Sequence, residues 1–317
     1  MSLEVIDVNG LATIQDSGRK GWRRFGVPTS GPMDGFAFQA ANALAGNPIE
    51  CATIEIGLGS ATFQAMQDCV IAVTGAGYTL SVYIWEFPLW SSFFVRDGWK
   101  ICLNKTDNGM WAYLAVTGGV QTQPMIGSRS TYLRGAFGGL NGRQLQAGDV
   151  LRTGNSSHSL NELAARTLAE EARPAYENHP IIDVILGPQT KYFTDESIET
   201  FLSSEYSISL TSDRMGYRFE GPQLTHRGKT ELISEGMTLG AIQVPLSGEP
   251  IVMMADCPTT GGYPKIAAVA SADLPLLAQC TPNKSKIRFR ETTVAKARKK
   301  YRALINGLNS ITNDMSF

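Results

Sequence analysis

Acidic, hydroxyl and glycine residues gather in one short window of the second half of the chain. Asp256 follows an apolar strand predicted over 251–254, and a Thr-Thr-Gly-Gly run occupies 259–262. A strand supports such groups rigidly, and glycines let a ligand approach the backbone. Asp256 could act as a base, and the hydroxyl and amide groups of the run could hold a carbonyl or phosphoryl oxygen. A tight turn capped by Asp256 is the alternative, but the convergence of several polar residue types favours a functional site.

A second polar window, from 15 to 34, leads to the start of a predicted helix. Backbone N–H groups at a helix N-terminus can bind an anion, and Arg19 lies within this window. The structural alternative is that Asp34 caps the helix while Asp16 and Arg19 pair across a turn. Capping is favoured for Asp34, and both interpretations stay open for Arg19.

Ser128 and Arg129 lie in a third window, 127–134, which precedes a glycine-rich stretch over 135–142. A guanidinium beside hydroxyl groups suits a carboxylate or phosphate, because its fork matches two oxygens at once. An ordinary polar loop with a salt bridge is the alternative. The glycine-rich stretch is either a mobile lid or a simple surface loop.

A fourth window, 212–218, places two arginines around one acid. Arg214 and Arg218 could form a cationic pocket in which Asp213 orients them. A buried ion network that joins two loops explains the same residues equally well.

Several enzyme classes lack their signatures in this sequence. It contains no P-loop, no complete dinucleotide-binding glycine pattern, no Cys-x-x-Cys pair, no His-Glu-x-x-His motif and no Gly-x-Ser-x-Gly elbow. We therefore expect no metal site. We interpret His226 as a hydrogen-bonded or solvated side chain rather than a base. Cys257 has no evident histidine or helix N-terminus to activate it, so we expect an inert thiol.

The composition is typical of a globular, nearly neutral protein. Of 317 residues, 43% are hydrophobic and 18% charged, and 28 Lys and Arg balance 29 Asp and Glu. This excludes a disordered chain and leaves no basic excess for nucleic acid. No apolar run approaches the ~18 residues of a membrane helix, and the N-terminal stretch lacks a signal-peptide pattern. The 5 cysteines are scattered, which fits reduced thiols and a cytoplasmic protein.

Glycine is frequent, with 32 residues, and short β-branched or aromatic runs between turns predict a strand-rich fold. Helices are expected after Asp34, over 161–171, 195–202 and 272–279, and as a basic segment from Thr292. The predicted strands occupy 3–7, 52–56, 69–74, 78–85, 101–103, 111–116, 181–186, 206–210, 242–244, 251–254 and 287–289. We predict domains over 1–155 and 181–291, a helical linker over 156–180 and a helical tail over 292–317.

The same windows carry long, ordered motifs. They read Q-D-S-G-R-K-G, G-V-P-T-S-G-P-M-D, L-A-V-T-G-G-V, G-S-R-S-T, S-D-R-M-G-Y-R, S-E-G-M-T-L-G-A-I-Q-V-P and T-T-G-G-Y-P. From about Leu3 to Phe289 the chain resembles the biotin-dependent carboxyltransferase-like family. This family includes the C subunit of bacterial ATP-dependent 5-oxoprolinase, the protein called allophanate hydrolase subunit 2, and the antagonist partner of a sporulation-kinase inhibitor.

The resemblance implies a mainly β protein with two cyclophilin-like β-barrel domains, a few short helices and a C-terminal helix. It implies cleavage of 5-oxoproline to glutamate with ATP, accompanied by Mg, in a complex with the B and A subunits of that enzyme. The B and C subunits would phosphorylate the lactam oxygen, which gives a poor electrophile a good leaving group. We expect a small amide or lactam substrate, and neither nucleic acid nor membrane as a partner.

Together with the polar windows, the resemblance indicates which residues would form the site. The candidates for catalysis are Asp256, Glu235 and Thr260. The candidates for substrate binding are Arg129, Arg214, Arg218, Ser234, Gln243, Thr259, Gly261, Gly262 and Tyr263. Arg19 and Ser128 are candidates for anion binding.

One position departs from the family pattern. Pro258 stands where a Gln usually precedes the T-T-G-G-Y motif, and proline lacks both that side-chain amide and a backbone N–H. Two alternatives to a 5-oxoprolinase component stay open. The chain could act with carboxybiotin on urea or a similar amide, and biotin is a cofactor only in that case. It could also be a non-catalytic partner of a B-like kinase inhibitor, which Pro258 favours.

Overall fold

The computed structural model describes residues 2–156, 158–228 and 232–313. The strands are β1 (Ser2–Gln15), β2 (Thr53–Ala65), β3 (Cys69–Gly75), β4 (Tyr78–Val82), β5 (Trp85–Phe87), β6 (Ser91–Val95), β7 (Lys100–Lys105), β8 (Trp111–Val116), β9 (Val150–Arg152), β10 (Arg166–Thr167), β11 (Ile181–Leu186), β12 (Glu205–Ile208), β13 (Gly216–Glu220), β14 (Glu235–Gly236), β15 (Ala241–Gln243), β16 (Ile251–Met253), β17 (Thr260–Gly261), β18 (Lys265–Val269), β19 (Lys286–Glu291) and β20 (Thr312–Asn313). The helices are α1 (Gly35–Leu44), α2 (Leu160–Leu163), α3 (Asp195–Ser203), α4 (Leu274–Ala278) and α5 (Val294–Gly307). The predicted mainly β fold with few short helices and a C-terminal helix is confirmed.

Four parts of the predicted domain plan fall outside the described ranges: Met1 of the first domain, Ser157 of the linker, residues 229–231 of the second domain and residues 314–317 of the tail. Within those ranges, no helix combines the length and the apolar character that crossing a bilayer requires.

The chain divides into two units. The first comprises Met1–Arg19, Ser30–Pro174 and Leu304–Phe317, and the second comprises Lys20–Thr29 and Ala175–Ala303. A short segment near the N-terminus therefore belongs to the second unit, although the chain on either side of it belongs to the first.

An 11-stranded sheet forms the first unit, in the order β20-β10-β6-β3-β8-β2-β7-β4-β5, with β1 pairing with β2 and β9. Its core includes Ile54, Phe63 and Leu114, which are fully buried. The long pairing of β1 with β2 needs a glycine at position 59. A β carbon added to Gly59 would lie 1.6 Å from the carbonyl oxygen of Asn9.

A closed barrel of seven strands forms the second unit, in the order β11-β18-β15-β16-β13-β12-β19. The parallel pairing of β11 with β19 closes it. Phe289 stacks on Phe201 of α3 with ring centroids 4.6 Å apart, and it also contacts Tyr206 and Phe219. This aromatic cluster makes α3 part of the barrel core. Strands β14 and β17 form a separate two-stranded sheet.

Asp34 caps α1, as the sequence indicates. Its side chain accepts a hydrogen bond from the Ala37 N–H at 2.9 Å, which satisfies one of the unpaired donors of the first turn. Gly46 follows the helix in the left-handed conformation that commonly ends helices. The capping interpretation of Asp34 is confirmed.

The predicted helix over 161–171 is wrong beyond its first turn, since α2 ends at Leu163. Ser92 of β6 donates to the Leu163 carbonyl at 2.6 Å, and Ala165 then adopts a left-handed φ of 61°. The chain continues as β10, which pairs with β6 on one side and β20 on the other. The Ala- and Leu-rich composition favours a helix here, but the contact with β6 overrides that propensity.

Two buried acids, Asp183 and Asp273, bind Lys300 near the middle of α5. Lys300 Nζ lies 2.9 Å from Asp183 Oδ2 and 2.5 Å from Asp273 Oδ1. The Arg290 guanidinium lies 2.7 Å from Asp183 Oδ1. Burial raises the pKa of Asp273, whereas the bonds from Lys300 and Arg290 outweigh burial and lower the pKa of Asp183. Lys300 thus compensates two carboxylates that are shielded from water.

We expect Lys300→Met to lower the free energy of unfolding by about 2–3 kcal/mol, because it leaves the buried Asp273 carboxylate without its cation and Asp183 with Arg290 alone. Urea denaturation followed by circular dichroism measures this change. Lys299→Met removes an exposed charge from the same helix and should alter stability by about 0.5 kcal/mol or less. Equal losses in the two variants would show that the buried acids do not depend on Lys300.

Candidate functional site

Strands β14 and β17 bring the two parts of the predicted site side by side. Glu235 pairs with Gly261 in antiparallel register, and backbone hydrogen bonds at Leu232 and Met237 extend the pairing on both sides. In a short sheet of this kind, backbone hydrogen bonds hold the two segments together. The side chains of both segments are therefore available for contacts with a ligand. The predicted residues brought together here are Ser234, Glu235, Thr259, Thr260, Gly261 and Gly262.

Two donors fix the Glu235 carboxylate. Its Oε2 accepts a hydrogen bond from Gln189 Nε2 at 2.7 Å and one from Lys265 Nζ at 3.1 Å. The Gln189 Oε1 accepts from the Lys265 backbone N–H at 2.8 Å. Gln189 is only 8% exposed, whereas the Glu235 side chain is 54% exposed. The carboxylate is therefore positioned through one oxygen while most of the side chain faces solvent, where it can accept a proton or hydrogen bond.

The sequence does not mark Gln189 and Lys265 as site residues. Lys265 directly follows the Gly-Gly-Tyr-Pro run, and this adjacency is a signal that could have revealed it. Gln189 lies just after β11 and carries no motif. It reaches Glu235 because β11 pairs antiparallel with β18, which begins at Lys265.

Gln243 of β15 lies against Gly261. A β carbon added to Gly261 would lie 3.2 Å from Gln243 Oε1 and 3.0 Å from Met237 Sδ. The absence of a side chain at Gly261 therefore permits this close approach. Tyr263 is partly buried in the same loop. The predicted residues Gln243 and Tyr263 thus belong to the same part of the second unit as Glu235.

Asp256 and Arg214 form a buried ion pair. Arg214 Nε lies 2.9 Å from Asp256 Oδ2, Arg214 Nη2 lies 3.3 Å from Asp256 Oδ1, and both side chains are buried. The Asp256 backbone N–H also donates to the Arg214 carbonyl at 2.8 Å. Because both carboxylate oxygens accept from arginine, this geometry favours the ion-network interpretation, and a role for Asp256 as a base stays a prediction.

Arg218 has a different environment from Arg214. Along β13 the side chains of Tyr217 and Phe219 are buried, whereas Arg218 is exposed, as alternation in a strand requires. Asp213 caps a turn by accepting from the Met215 N–H at 2.8 Å. The substrate-binding role of Arg218 stays a prediction, and such a substrate would meet it on an exposed face of the barrel.

Arg23 fixes the turn that holds Cys257 and Pro258. Its guanidinium donates to the carbonyl oxygens of Met237 at 2.6 Å and Pro258 at 3.0 Å, and it lies 3.8 Å from Cys257 Sγ. Burial raises the pKa of the Cys257 thiol although Arg23 opposes this effect, which agrees with an inert thiol. Arg23 binds the backbone carbonyl oxygen of Pro258, which any residue at this position provides. The contact is therefore possible with proline as well as with the Gln of the family pattern.

His226 is a hydrogen-bonded side chain packed on an aromatic ring. One of its ring nitrogens, Nε2, lies 3.0 Å from the Val244 carbonyl oxygen, and its ring centroid lies 4.9 Å from that of Phe193. This environment agrees with the structural role predicted for His226.

In the first unit, Asp16 gathers donors from the 128–130 segment. Its Oδ1 accepts from Ser128 Oγ at 2.5 Å and from Ser130 Oγ at 2.7 Å, and its Oδ2 accepts from the Arg129 N–H at 2.5 Å. Gly18 donates a further bond at 2.9 Å. The Ser128 hydroxyl thus binds a protein carboxylate, and its role in binding a ligand anion stays a prediction.

The two arginines of this region also contact protein groups. Arg19 is fully buried, donates to the Ser130 carbonyl, and stacks its guanidinium over Phe137 at 4.6 Å from the ring centroid. Arg129 donates through Nε to the Thr122 carbonyl and through Nη2 to Gln121 Oε1, both at 3.0 Å. These contacts support the loops around them, and anion or substrate binding by either arginine stays a prediction.

The residues described by the structure include no group of three or more His, Cys, Asp or Glu side chains that could hold a metal ion. The groups brought together around Glu235 are a carboxylate, an ammonium, carboxamides, hydroxyls and backbone amides.

The strand-rich fold in two units and the polar loops described above are accompanied by a match to a known domain family. Residues 25–291 match the family model described as "Carboxyltransferase domain, subdomain A and B". The chain belongs to this carboxyltransferase-domain family.

Among curated proteins, the chain is similar to two that are named as the C subunit of 5-oxoprolinase. The protein from Haemophilus influenzae is 38% identical over 98% of this chain and 99% of its own length. The one from Escherichia coli is 36% identical over 94% of this chain and 93% of its own length. The urea amidolyase of Saccharomyces cerevisiae is 31% identical over 90% of this chain, which spans only 16% of that protein.

Solved structures show the same relationship. The crystal structure of Kluyveromyces lactis urea amidolyase matches 98% of this chain with a TM-score of 0.89 and 28% identity, over 21% of its own length. The Kluyveromyces lactis urea carboxylase structure matches all of this chain, 100%, with the same TM-score of 0.89 and 28% identity, over 31% of its own length.

We expect Arg214→Met to lower the free energy of unfolding by about 3–5 kcal/mol, because the buried Asp256 carboxylate loses its cation. The double variant Arg214→Met with Asp256→Leu should recover part of this loss. Arg218→Met, on the exposed side of β13, should change stability by about 0.5 kcal/mol or less. Urea denaturation of the variants measures these differences, and an Arg214→Met protein as stable as Arg218→Met would contradict the structural role of the pair.

Proposed function

We propose that this chain is the C-type subunit of an ATP-dependent 5-oxoprolinase and that it works together with partner chains. The observation that carries the proposal is reciprocal coverage. The matches to the two 5-oxoprolinase relatives span 98% and 94% of this chain and 99% and 93% of those relatives. Because the match spans nearly all of both chains, it favours the same role in this protein and its relatives. A match to one module of a larger enzyme would favour this less.

The second unit offers groups that suit a lactam. A molecule of 5-oxoproline presents a ring N–H, a ring carbonyl and a carboxylate. The Glu235 carboxylate and Gln243 Oε1 are acceptors for the N–H, whereas Lys265 and the exposed Thr260 hydroxyl are donors for the oxygens. Asp256 acts in this proposal by holding the loop through Arg214.

The proposed reaction activates the lactam by phosphorylation. The lactam oxygen attacks the γ-phosphorus of ATP, a new O–P bond forms, and the bond to ADP breaks. The ring N–H proton passes to a base, and Glu235 is the candidate because it is positioned and solvent-accessible. Water then adds to the activated carbon, and the ring C–N bond breaks as a proton returns to the nitrogen, which leaves an acyl phosphate. A second water hydrolyses this acyl phosphate to glutamate and phosphate.

The proposal requires partner chains and ATP. The B subunit shares the phosphorylation step, and the A subunit finishes the hydrolysis. Mg accompanies ATP, and no step is assigned to a metal held by this chain. The five cysteines are free thiols, which supports a cytoplasmic location.

A carboxyltransferase role is the second candidate. The structural matches to urea amidolyase and urea carboxylase, at a TM-score of 0.89, favour it. In that case carboxybiotin would come from another chain, and the same acceptors and donors around Glu235 would bind urea or a similar amide.

Mixing this chain with the A and B subunits of its own complex, 5-oxoproline and MgATP should release equimolar phosphate and glutamate, and omission of this chain should abolish release. Glutamate is measured by coupled enzymatic assay and phosphate by colorimetry. Absence of both products with all three chains present would refute the proposal. Carboxylation of urea by the chain with a carboxybiotin donor would establish the second candidate instead.

Within the active complex, we expect Glu235→Gln to lower kcat by about 10²-fold, because the amide cannot accept the ring proton. Glu220→Gln changes an exposed carboxylate of β13 and serves as the matched control. Steady-state kinetics of both variants test the role of Glu235. Full activity of Glu235→Gln would exclude it as the base.

A further inference from the structure

A cavity of 660 Å³ opens in the first unit, lined by residues drawn from 121–125, 136–142 and 150–152. We propose that it binds an organic anion, with a phosphate or carboxylate group against Arg152 and an aromatic or apolar portion against Phe137. Its volume lies within the ~300–1,000 Å³ typical of sites for drug-sized ligands. Neither the polar windows of the sequence nor the Glu235 cluster includes Arg152.

The electrostatics of the cavity favour an anion. Arg152 is exposed and is the one charged side chain among the described residues that line the cavity. No carboxylate within the described ranges forms an ion pair with it. The neighbouring acid, Asp149, is compensated because Arg143 binds both its oxygens at 2.7 Å. This bond to Arg143 lowers the pKa of Asp149. The Arg152 guanidinium thus has its donors available for a ligand anion.

The cavity also has an apolar wall. Met125 and Val150 are 43% and 47% exposed at its margin, so they offer apolar surface to a ligand. The Phe137 ring is held by the Arg19 guanidinium, 4.6 Å from its centroid, and by Tyr132, with ring centroids 5.5 Å apart. A fixed ring loses little entropy when a planar ligand stacks on it.

Residues 136–142, which form one wall of the cavity, are closely packed and hydrogen-bonded. A β carbon on Gly138 would lie 2.0 Å from the Ser130 carbonyl oxygen, and one on Gly139 would lie 2.0 Å from Thr131 Oγ1. Gly139 donates to the Arg129 carbonyl at 2.9 Å, and Gly142 donates to the Gly138 carbonyl at 2.8 Å. These contacts favour a preformed cavity over the mobile lid that the glycine content allows.

The proposed function names two substrates, 5-oxoproline and ATP, and the choice between them as the ligand of this cavity rests on that proposal. The size and the lining of the cavity favour one of them. A single five-membered lactam would leave most of a 660 Å³ cavity empty. ATP combines a planar aromatic base, which Phe137 suits, with phosphate groups, which Arg152 suits. The carboxamides of Gln123 and Asn141 can donate to and accept from the edge of a base. ATP is therefore the ligand to test first.

The test is calorimetric titration of the purified chain alone with MgATP, and separately with 5-oxoproline and with inorganic phosphate. We expect MgATP to bind more tightly than either smaller anion. Arg152→Gln should weaken MgATP binding about 10- to 100-fold, the effect of losing charge-assisted hydrogen bonds. Arg152→Lys keeps the charge and should lose less. Lys100→Gln removes an exposed charge outside the cavity lining and is the matched control.

A second variant tests the cavity itself. Val150→Trp places a large side chain at its margin and should abolish MgATP binding, while circular dichroism and thermal melting confirm that the fold is retained. Wild-type affinity in both Arg152→Gln and Val150→Trp, or equal weakening by Lys100→Gln, would overturn the proposal. The titration uses this chain alone, so its result does not depend on the partner chains. If MgATP binding depends on Arg152 but the three-chain assay shows no turnover, the cavity proposal stands and only the proposed function is refuted.

Discussion

The buried ion pair between Arg214 and Asp256 supports the candidate site of the second unit. Removing two charges from water is costly, and the cost is offset here by two guanidinium–carboxylate contacts, at 2.9 and 3.3 Å, and a backbone bond between the same residues. The pair fixes the chain directly after β16. From that point the 259–262 segment runs beside Glu235, and Lys265 reaches its carboxylate.

Four of the acids described above differ in how many of their oxygens the protein itself binds. Asp16, Asp183 and Asp256 are buried, and each accepts several hydrogen bonds that join segments distant in sequence. Glu235 is held through one oxygen and remains more than half exposed, at 54%. A saturated, buried carboxylate supports structure, whereas a positioned and accessible one is available for proton transfer. Glu235 is therefore a better candidate for proton transfer than Asp256.

The two units of this carboxyltransferase-domain chain present different sets of polar groups. The second unit presents a carboxylate, an ammonium and a carboxamide of the types that an amide or lactam requires. The first unit presents a cavity with one arginine and an aromatic wall, which suits a larger anion. Each of the two inferences stands on the contacts of its own unit.

The sequence by itself determined the family, the mainly β fold and the cap of α1, because ordered motifs, strand-like runs between glycines and an N-cap aspartate are local features. It did not reveal that the helix predicted from residue 161 ends at Leu163, or that the strand predicted over 78–85 turns at Tyr83 to form the β4–β5 hairpin. The tertiary structure alone decided that Gln189 and Lys265 meet at Glu235, that Arg214 binds Asp256, and that Arg152 lines a cavity. The reason is physical: strand pairing and the compensation of buried charge depend on contacts between segments far apart in the chain, and no local pattern records them.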